Sequence, residues 1–297
     1  MRMNKKALIF SISLVLLVLG ALIAGFIFVQ KLKNQTSKYA ALGESSKSIL
    51  EGFMKSQEVL VYTDSLAAFS LYSAIEQAAK DAGINPDKTC GSIQGQDETN
   101  YVIWNKKEND KNIKCYRQQT FDQYFTELFQ HKLNIQLLTS NNQLLKDYRG
   151  NHDIFIKLNS LISENKNIQH EIIPTTVIYG IANKPINIPL TLQSGQTPGD
   201  YYFRPSFTIH TNYDLTIYDK LYGLADEIIN NCQKSKEQKL DCIKTTIDHF
   251  NANNPTLYPT SYFAIDDNTF AFQTKPKTYF NPYESKPHPL IKFAIKF

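Results

Sequence analysis

The chain has 297 residues, with 32 basic and 28 acidic groups that give a formal charge of +4. Six of the basic residues precede position 39 and the first acidic residue is Glu44, so residues 39–297 hold 26 basic groups against all 28 acidic groups. A nearly neutral folded part lacks the electropositive surface that binds polyanions, so we expect no nucleic-acid partner.

Residues 7–29 form an uncharged and mostly apolar segment with three basic residues on each side. A helix of this length covers roughly 34 Å, enough to cross a hydrocarbon core of about 30 Å. The sequence therefore predicts a single-pass anchor in the cell membrane, with the lipid bilayer as a partner. It separates an N-terminal segment, residues 1–6, from a juxtamembrane linker, residues 30–43.

Two alternatives to an uncleaved anchor remain open. A cleaved signal peptide needs a small-x-small cleavage site, which residues 22–24 and 28–30 match poorly. A prepilin-type leader is the closer alternative, because Lys6-Ala7 directly precedes the apolar residues, as in archaeal class III signals. Cleavage after Ala7 would release a pilin-like subunit.

A helical pattern runs from Gly43 to Ala82 and ends at Gly83, a favoured residue directly after a helix. Steps of three and four residues define one stripe along it, which predicts a surface buried against other elements. Asp64 interrupts the apolar character of this stripe and is a possible functional acid, with an ion-pair or capping role as the alternative. The stripe comprises Leu50, Phe53, Gln57, Leu60, Asp64, Ala67, Leu71, Ala74 and Ala78.

The four cysteines form two local pairs by their spacing, Cys90 with Cys115 and Cys232 with Cys242. Disulfides persist outside the reducing cytosol, so we expect residues 44–297 to be an extracytoplasmic domain and the N-terminus to be cytoplasmic. A zinc site and four free thiols are the alternatives. No Cys-x-x-Cys is present and no His lies at ligand spacing from a Cys, so we predict neither a metal nor a cofactor.

The segment 84–119 is predicted to be irregular, with one short strand at residues 101–104. Thr120 and Gln123 then form a capping box that begins a helix. Its aromatic face predicts a core helix. The residues of this face are Phe121, Tyr124, Phe125, Leu128 and Phe129.

Between residues 153 and 213 the apolar period changes to two, which predicts half-buried strands. Turn residues at 183–185 separate the strand 177–182 from the strand 186–192, and a Gly-containing turn at 195–199 follows. We therefore expect neighbouring strands to run antiparallel.

Arg204 and His210 share the polar face of the next predicted strand, residues 201–213. At about 3.3 Å per residue they lie roughly 20 Å apart, too far for a shared catalytic step. This face is a possible ligand-binding ridge, and an ordinary solvated sheet face is the alternative.

Helical spacing returns over residues 214–231 and 236–250, which predicts a helical hairpin joined by its own disulfide. The C-terminal strand places Lys292 and Lys296 outward, as exposed edge strands do. The predicted fold is α+β, with an N-terminal transmembrane helix, a long helix, an antiparallel sheet and a disulfide-stapled helical hairpin.

The sequence contains no phosphate-binding Gly-rich loop, His-Glu-x-x-His or Gly-x-Ser-x-Gly motif. The leading hypothesis is a non-enzymatic surface or envelope protein, whose domain binds another envelope protein or a second copy of itself. An envelope hydrolase that uses a carboxylate such as Asp64 is the enzymatic alternative, and a pilin-like subunit is the third.

Several short pieces resemble uncharacterised single-pass membrane proteins of small-genome (DPANN-type) archaea. That resemblance implies the architecture and a cell-surface location, and it carries no known activity. Besides the apolar segment, the pieces are residues 61–68 (VYTDSLAA), Cys90-Gly91, Cys115-Tyr116, residues 180–185 (GIANKP), residues 202–207 (YFRPSF) and the Cys232/Cys242 hairpin.

Overall fold

The computed structural model describes most of the chain and is mixed helix and sheet, which confirms the predicted α+β class. The described residues are 5–95, 98–109, 111–140, 152–161, 173–191, 199–232, 236–254, 257–277 and 289–297. The chain divides into a first unit, residues 1–57 with 187–203, and a second unit, residues 58–186 with 204–297.

Four helices and twelve strands lie within these described residues. The helices are α1 (Lys5–Lys80), α2 (Phe121–Thr139), α3 (Ile217–Asn231) and α4 (Lys236–Asn253). The strands are β1 (Ser92–Gln94), β2 (Asn100–Ile103), β3 (Asn105–Glu108), β4 (Lys111–Lys114), β5 (His152–Leu161), β6 (Ile173–Ala182), β7 (Ile186–Leu190), β8 (Gly199–Phe203), β9 (Ser206–Thr211), β10 (Ser261–Ala264), β11 (Thr269–Thr274) and β12 (Ile291–Lys296).

Helix α1 contains 76 residues and runs without a break through residues 30–43, the predicted linker. Most of the predicted anchor, residues 7–18 and 21, lies outside the residues whose side chains are described. Within the described part of the chain, no helix combines the length and the apolarity needed to cross a membrane. The anchor over residues 7–29 stays a prediction.

The predicted helix stop at Gly83 is confirmed. Helix α1 ends at Lys80, and Ala82 and Gly83 adopt φ angles of 49° and 76°. The Gly83 amide donates to the Ala78 carbonyl oxygen at 2.8 Å, a bond typical of helix termini that close in the left-handed conformation. The Tyr222 hydroxyl donates to the Gly83 carbonyl oxygen at 2.6 Å, which fixes this end of the helix in the second unit.

Gly83→Ala is expected to lower the free energy of unfolding by about 2 kcal/mol, because a non-glycine residue is strained in the left-handed region. Its Cβ would also stand 2.9 Å from Tyr218 Cε1 and from the Tyr222 hydroxyl. Gly43→Ala is the matched control, since nothing lies within 4 Å of a Cβ at this helical position. Urea unfolding should show the control to be neutral or stabilising by up to about 1 kcal/mol. Equal losses in both variants would contradict the prediction.

In the first unit, the buried side of α1 differs from the predicted stripe. Leu50 and Phe53 are exposed, while Ser48, Gly52 and Ser56 are buried. Leu190 and Thr191 approach this side of α1 closely, because the helix residues that face them are small. A Cβ on Gly52 would stand 2.7 Å from Leu190 Cδ2, and the Ser48 hydroxyl donates to the Thr191 carbonyl oxygen at 3.2 Å. In a single copy of the chain, the prediction that Leu50 and Phe53 are buried is therefore wrong.

In the second unit, the C-terminal part of the stripe is buried as predicted. Ala67, Leu71, Ala74 and Ala78 are each fully buried. Their small volumes allow neighbouring elements to approach the helix closely.

The largest sheet has the strand order β1-β2-β12-β11-β10. Strand β12 pairs in parallel with β2 and antiparallel with β11, so it is a central strand and the predicted edge strand is wrong. The lysine pattern has another cause, because Lys292 is half-buried with its ammonium 5.6 Å from the centre of the Tyr101 ring. An outward lysine can thus cover an aromatic face of the sheet as well as protect an edge.

The segment 84–119 is more regular than predicted, because β1 to β4 all lie within it. The predicted strand at 101–104 corresponds to β2, and β3 pairs antiparallel with β4. The Cys90–Cys115 disulfide encloses these four strands, and the Cys232–Cys242 disulfide is also formed, so both predicted bridges are confirmed.

Strands β5, β6 and β9 form an antiparallel sheet, which confirms the predicted direction. The predicted pairing of successive strands fails at residues 183–185, because β6 pairs with β5 and β9 whereas β7 pairs with β8. The predicted strand 201–213 is also interrupted between Phe203 and Ser206. Pro205 has no amide to donate to a strand ladder, and its carbonyl oxygen instead accepts from the Ala182 amide at 2.8 Å.

Helix α2 begins as predicted, with the Thr120 hydroxyl accepting from the Gln123 amide at 3.4 Å. Its aromatic face lies in the core, where the Phe121 ring stacks 4.0 Å from the Tyr218 ring on α3. The helical hairpin of α3 and α4 is confirmed, and its cysteines are disulfide-bonded.

Candidate functional site

The three candidate functional residues predicted from the sequence, Asp64, Arg204 and His210, are all exposed. Asp64 lies on α1, and partial burial raises the pKa of its carboxyl group. Arg204 lies in the break between β8 and β9, and His210 lies on β9 opposite Val177 of β6. Among the described residues, no hydrogen bond or ion pair joins any two of the three. Their functional roles, including that of Asp64 in a hydrolase, stay predictions.

A different group of polar side chains converges on Asp226 of α3. Lys114 Nζ and the Tyr116 hydroxyl donate to Asp226 Oδ1 at 2.5 and 2.8 Å, and Arg117 Nη2 donates to Oδ2 at 2.5 Å. We call Lys114, Tyr116, Arg117 and Asp226 the Asp226 cluster.

The disulfide at Cys115 positions the donors of this cluster. Lys114 ends β4, and residues 115–117 form a 3-10 turn that begins at the bridged cysteine. Because this cysteine stands directly between Lys114 and Tyr116, the bridge to Cys90 restricts both neighbours. The carboxylate comes from a separate element more than 100 residues later in the chain.

The electrostatics of the cluster favour an ionised Asp226. Partial burial acts to raise the pKa of Asp226, but the hydrogen bonds from its three partners outweigh burial and hold that pKa below its ordinary value. Burial, and then the bond to Asp226, raise the pKa of the Tyr116 hydroxyl, which therefore stays protonated and donates. The Arg117 guanidinium has a raised pKa because of its bond to Asp226.

Aromatic rings complete the surroundings of the cluster. The Arg117 guanidinium lies 5.6 Å from the Tyr116 ring centre and 5.9 Å from that of Tyr222. Both rings adjoin the fully buried Trp104, at centroid distances of 5.4 and 5.2 Å. The cluster is thus the polar margin of an aromatic core.

This arrangement suits a clamp better than an acid or base. Asp226 already accepts three hydrogen bonds, and its lowered pKa makes it a weak proton acceptor. A carboxylate that pairs with two cations and a phenol can instead hold the disulfide-bridged segment against α3. The geometry therefore supports a structural role for Asp226 and its partners, not a role in proton transfer.

Sequence reasoning did not identify the Asp226 cluster. The available signal was the position of Lys114 and Tyr116 on either side of a predicted disulfide cysteine. Nothing local marked Asp226, because the sequence separation exceeds 100 residues and only the fold brings the partners together.

Asp226→Asn is expected to lower the free energy of unfolding by about 2 kcal/mol at neutral pH, because it leaves the partly buried Lys114 ammonium and the buried Tyr116 hydroxyl without their carboxylate acceptor. The half-exposed Arg117 guanidinium contributes little to this loss. The folded-state pKa of Asp226 lies below its ordinary value of 3.8, so its stabilisation is present above that value and is lost as pH falls through the lower folded-state pKa. Stability measured from pH 7 to pH 2 should therefore fall less steeply in the variant.

Glu108→Gln is the control for this substitution. Glu108 also forms an ion pair, at 2.6 Å from Lys106, but both side chains are about half exposed. Exposed pairs contribute about 0–1 kcal/mol, so the control should change stability little. A loss in Asp226→Asn no larger than in Glu108→Gln would contradict the clamp role.

The described residues include no group of three or more His, Cys, Asp or Glu side chains that could hold a metal ion. Comparison of the chain with protein-family models, curated proteins and solved structures finds no match.

Proposed function

We propose that the chain is a membrane-anchored extracytoplasmic protein whose folded domain serves in interaction or assembly at the cell surface. One observation carries the proposal. The helix that contains the apolar segment 7–29 continues without a break into the folded domain, where four large apolar side chains are exposed within residues 49–54. We call these four residues the apolar face: Ile49, Leu50, Phe53 and Met54.

The disulfides support the extracytoplasmic location. Both bridges are formed and together they use all four cysteines of the chain. Such bridges persist in oxidising compartments and are rare in the cytosol. With the domain outside, the basic N-terminus stands on the cytoplasmic side of the span.

The experiment for this function uses the full chain in its native cell. Carbonate-washed membranes are floated on a density gradient, and the recovered protein is alkylated and mapped as peptides without reduction. We expect the chain to float with both cysteine pairs linked. Extraction by carbonate would overturn the anchor, and free thiols at all four cysteines would overturn the location.

A pilin-like subunit is the second candidate, and the continuity of α1 favours it. A single helix from Lys5 to Lys80 combines an apolar N-terminal part with a C-terminal part buried within an α+β unit. Intact-mass measurement of the native protein separates the two candidates. Loss of residues 1–7 supports a processed pilin-like subunit, and retention of the N-terminal segment supports the uncleaved anchor.

A further inference from the structure

Between residues 43 and 57, the exposed charged residues Lys47, Glu51 and Lys55 and the large apolar side chains of α1 lie on different sides of the helix. Lys47, Glu51 and Lys55 are exposed and share one side, where Lys47 Nζ lies 3.9 Å from a Glu51 carboxylate oxygen. At about 100° per residue, the apolar face occupies a different sector of roughly 140°. Its exposed fractions are 53% for Ile49, 56% for Leu50, 47% for Phe53 and 62% for Met54.

This separation shows which side of the helix suits solvent. Scattered apolar residues are normal on a protein surface, but a contiguous group of large ones is typical of an interaction surface. The charged side already provides α1 with a solvated surface, and the small residues Ser48, Gly52 and Ser56 provide its buried one. The apolar face is a third surface, which the described residues of the first unit leave exposed.

We propose that the apolar face binds a second copy of this chain, with the two α1 helices parallel. The parallel orientation rests on the proposed function, because two copies anchored in one bilayer present their helices in the same direction. A symmetric pair places each residue of the face opposite its own copy.

The spacing of the face fits a paired helix. Leu50, Phe53 and Gln57 follow steps of three and four residues, the spacing by which two helices pack along a common line. Gln57 is exposed at the end of this line, and a polar residue at such a position fixes the register of a parallel pair.

Charge also favours self-association. The apolar face carries no ionisable group, so bringing it against an identical face creates no like-charge repulsion. The charged residues Lys47, Glu51 and Lys55 remain on a separate, exposed side. A partner with a charged surface would find no complementary charge on the face itself.

The bilayer itself is a poor fit to the face. Twenty residues separate Val29 from Ile49, and α1 is helical throughout. At 1.5 Å per residue, the face lies about 30 Å beyond the predicted span, farther than the headgroup region extends.

The area predicts weak pairing that the membrane strengthens. Four side chains that each expose on the order of 100 Å² offer about 400 Å² per copy, roughly half of what a standard interface buries on each partner. Confinement to one membrane raises the effective concentration and compensates for this small area. We therefore expect dimers in vesicles and mainly monomers in dilute detergent.

Cysteine cross-linking of the full chain tests the proposal. Leu50→Cys and the control Glu51→Cys place single free thiols on adjacent residues, one on the apolar face and one on the charged side. The proteins are reconstituted in phosphatidylcholine vesicles containing phosphatidylglycerol, oxidised briefly and separated without reduction. We expect about tenfold more disulfide-linked dimer from Leu50→Cys than from Glu51→Cys.

A second pair of substitutions tests the face without moving the thiol. In the Leu50→Cys background, Phe53→Glu should reduce the dimer about tenfold, because it buries a carboxylate at the contact. Lys55→Glu, on the charged side, should leave the yield unchanged. All of these positions are exposed, and peptide mapping of the two native disulfides verifies that each variant is folded.

The outcomes separate this inference from the proposed function. Three results would each overturn self-association. The first is an equal dimer yield at positions 50 and 51, and the second is the absence of dimer in protein that floats with the vesicles. The third is an adduct with a different protein in native membranes. Failure to float overturns the anchor instead. The same cross-linking comparison at high protein concentration in detergent then decides the face, where a Leu50→Cys dimer supports it and no dimer overturns it.

Discussion

Removal of the Cys90–Cys115 disulfide by a double alanine substitution should lower the free energy of unfolding by about 3.5 kcal/mol. The two cysteines are 25 residues apart, so the bridge restricts a long loop of the unfolded chain. The second bridge spans only 10 residues, and its removal by the same substitutions should cost about 2.7 kcal/mol. Urea unfolding followed by the fluorescence of Trp104, the single tryptophan, measures both.

The first bridge should also be coupled to Asp226. Cys115 stands between Lys114 and Tyr116, both of which donate to that carboxylate. Without the bridge, the donors must be ordered by the cluster alone, so Asp226→Asn should cost less in the bridge-free protein. We expect a coupling energy of about 1 kcal/mol in a double-mutant cycle.

The second bridge provides the control for this coupling. Cys232 and Cys242 join α3 to α4 and form no part of the Asp226 cluster. A cycle of their removal with Asp226→Asn should give a coupling near zero. Equal coupling for the two bridges, or additive effects at Cys115, would show that the bridge does not position the cluster.

Local features of this chain could be predicted from its sequence. The cap at Thr120, the helix stop at Gly83 and the pairing of nearby cysteines each depend on residues close together in the chain. The physical determinants of such features are backbone conformation and short loops, which a sequence displays directly.

Features that join distant segments could not be predicted in the same way. The alternation of β12 indicates a strand but not its neighbours, and its parallel pairing with β2 joins residues that are nearly 200 positions apart. The same limit applies to Asp226, whose partners lie in another element. The alternation of apolar and polar residues over 201–213 also did not predict that the strand is interrupted at Pro205.

The predicted burial of the stripe on α1 is correct for only part of its length. Its spacing predicts burial along the whole length, and the chain buries only the part from Ala67 onward. Near Leu50 and Phe53, strands β7 and β8 pack against small residues such as Gly52, which lie on a neighbouring side of the helix. A second copy at the apolar face would bury this remaining part of the stripe, so the sequence pattern and the proposed dimer lead to the same surface.

Phe293→Ala should cause the largest loss among single substitutions, about 3–5 kcal/mol, because it leaves a cavity in the aromatic core. Phe293 is fully buried on the central strand β12. Its ring stacks 3.7 Å from the Trp104 ring and 5.1 Å from the Phe272 ring. Because Trp104 loses its stacking partner, its emission spectrum in the folded state should shift as well.

Two controls separate the cavity from other effects of this substitution. Phe53→Ala removes the same side chain from an exposed position and should change the stability of the monomer by less than about 0.5 kcal/mol. Phe293→Leu retains most of the volume but not the ring, and should cost about 1–1.5 kcal/mol. If Phe293→Leu proved as costly as Phe293→Ala, ring stacking on Trp104 rather than cavity formation would dominate. If Phe293→Ala cost no more than Phe53→Ala, the central place of β12 in the core would be wrong.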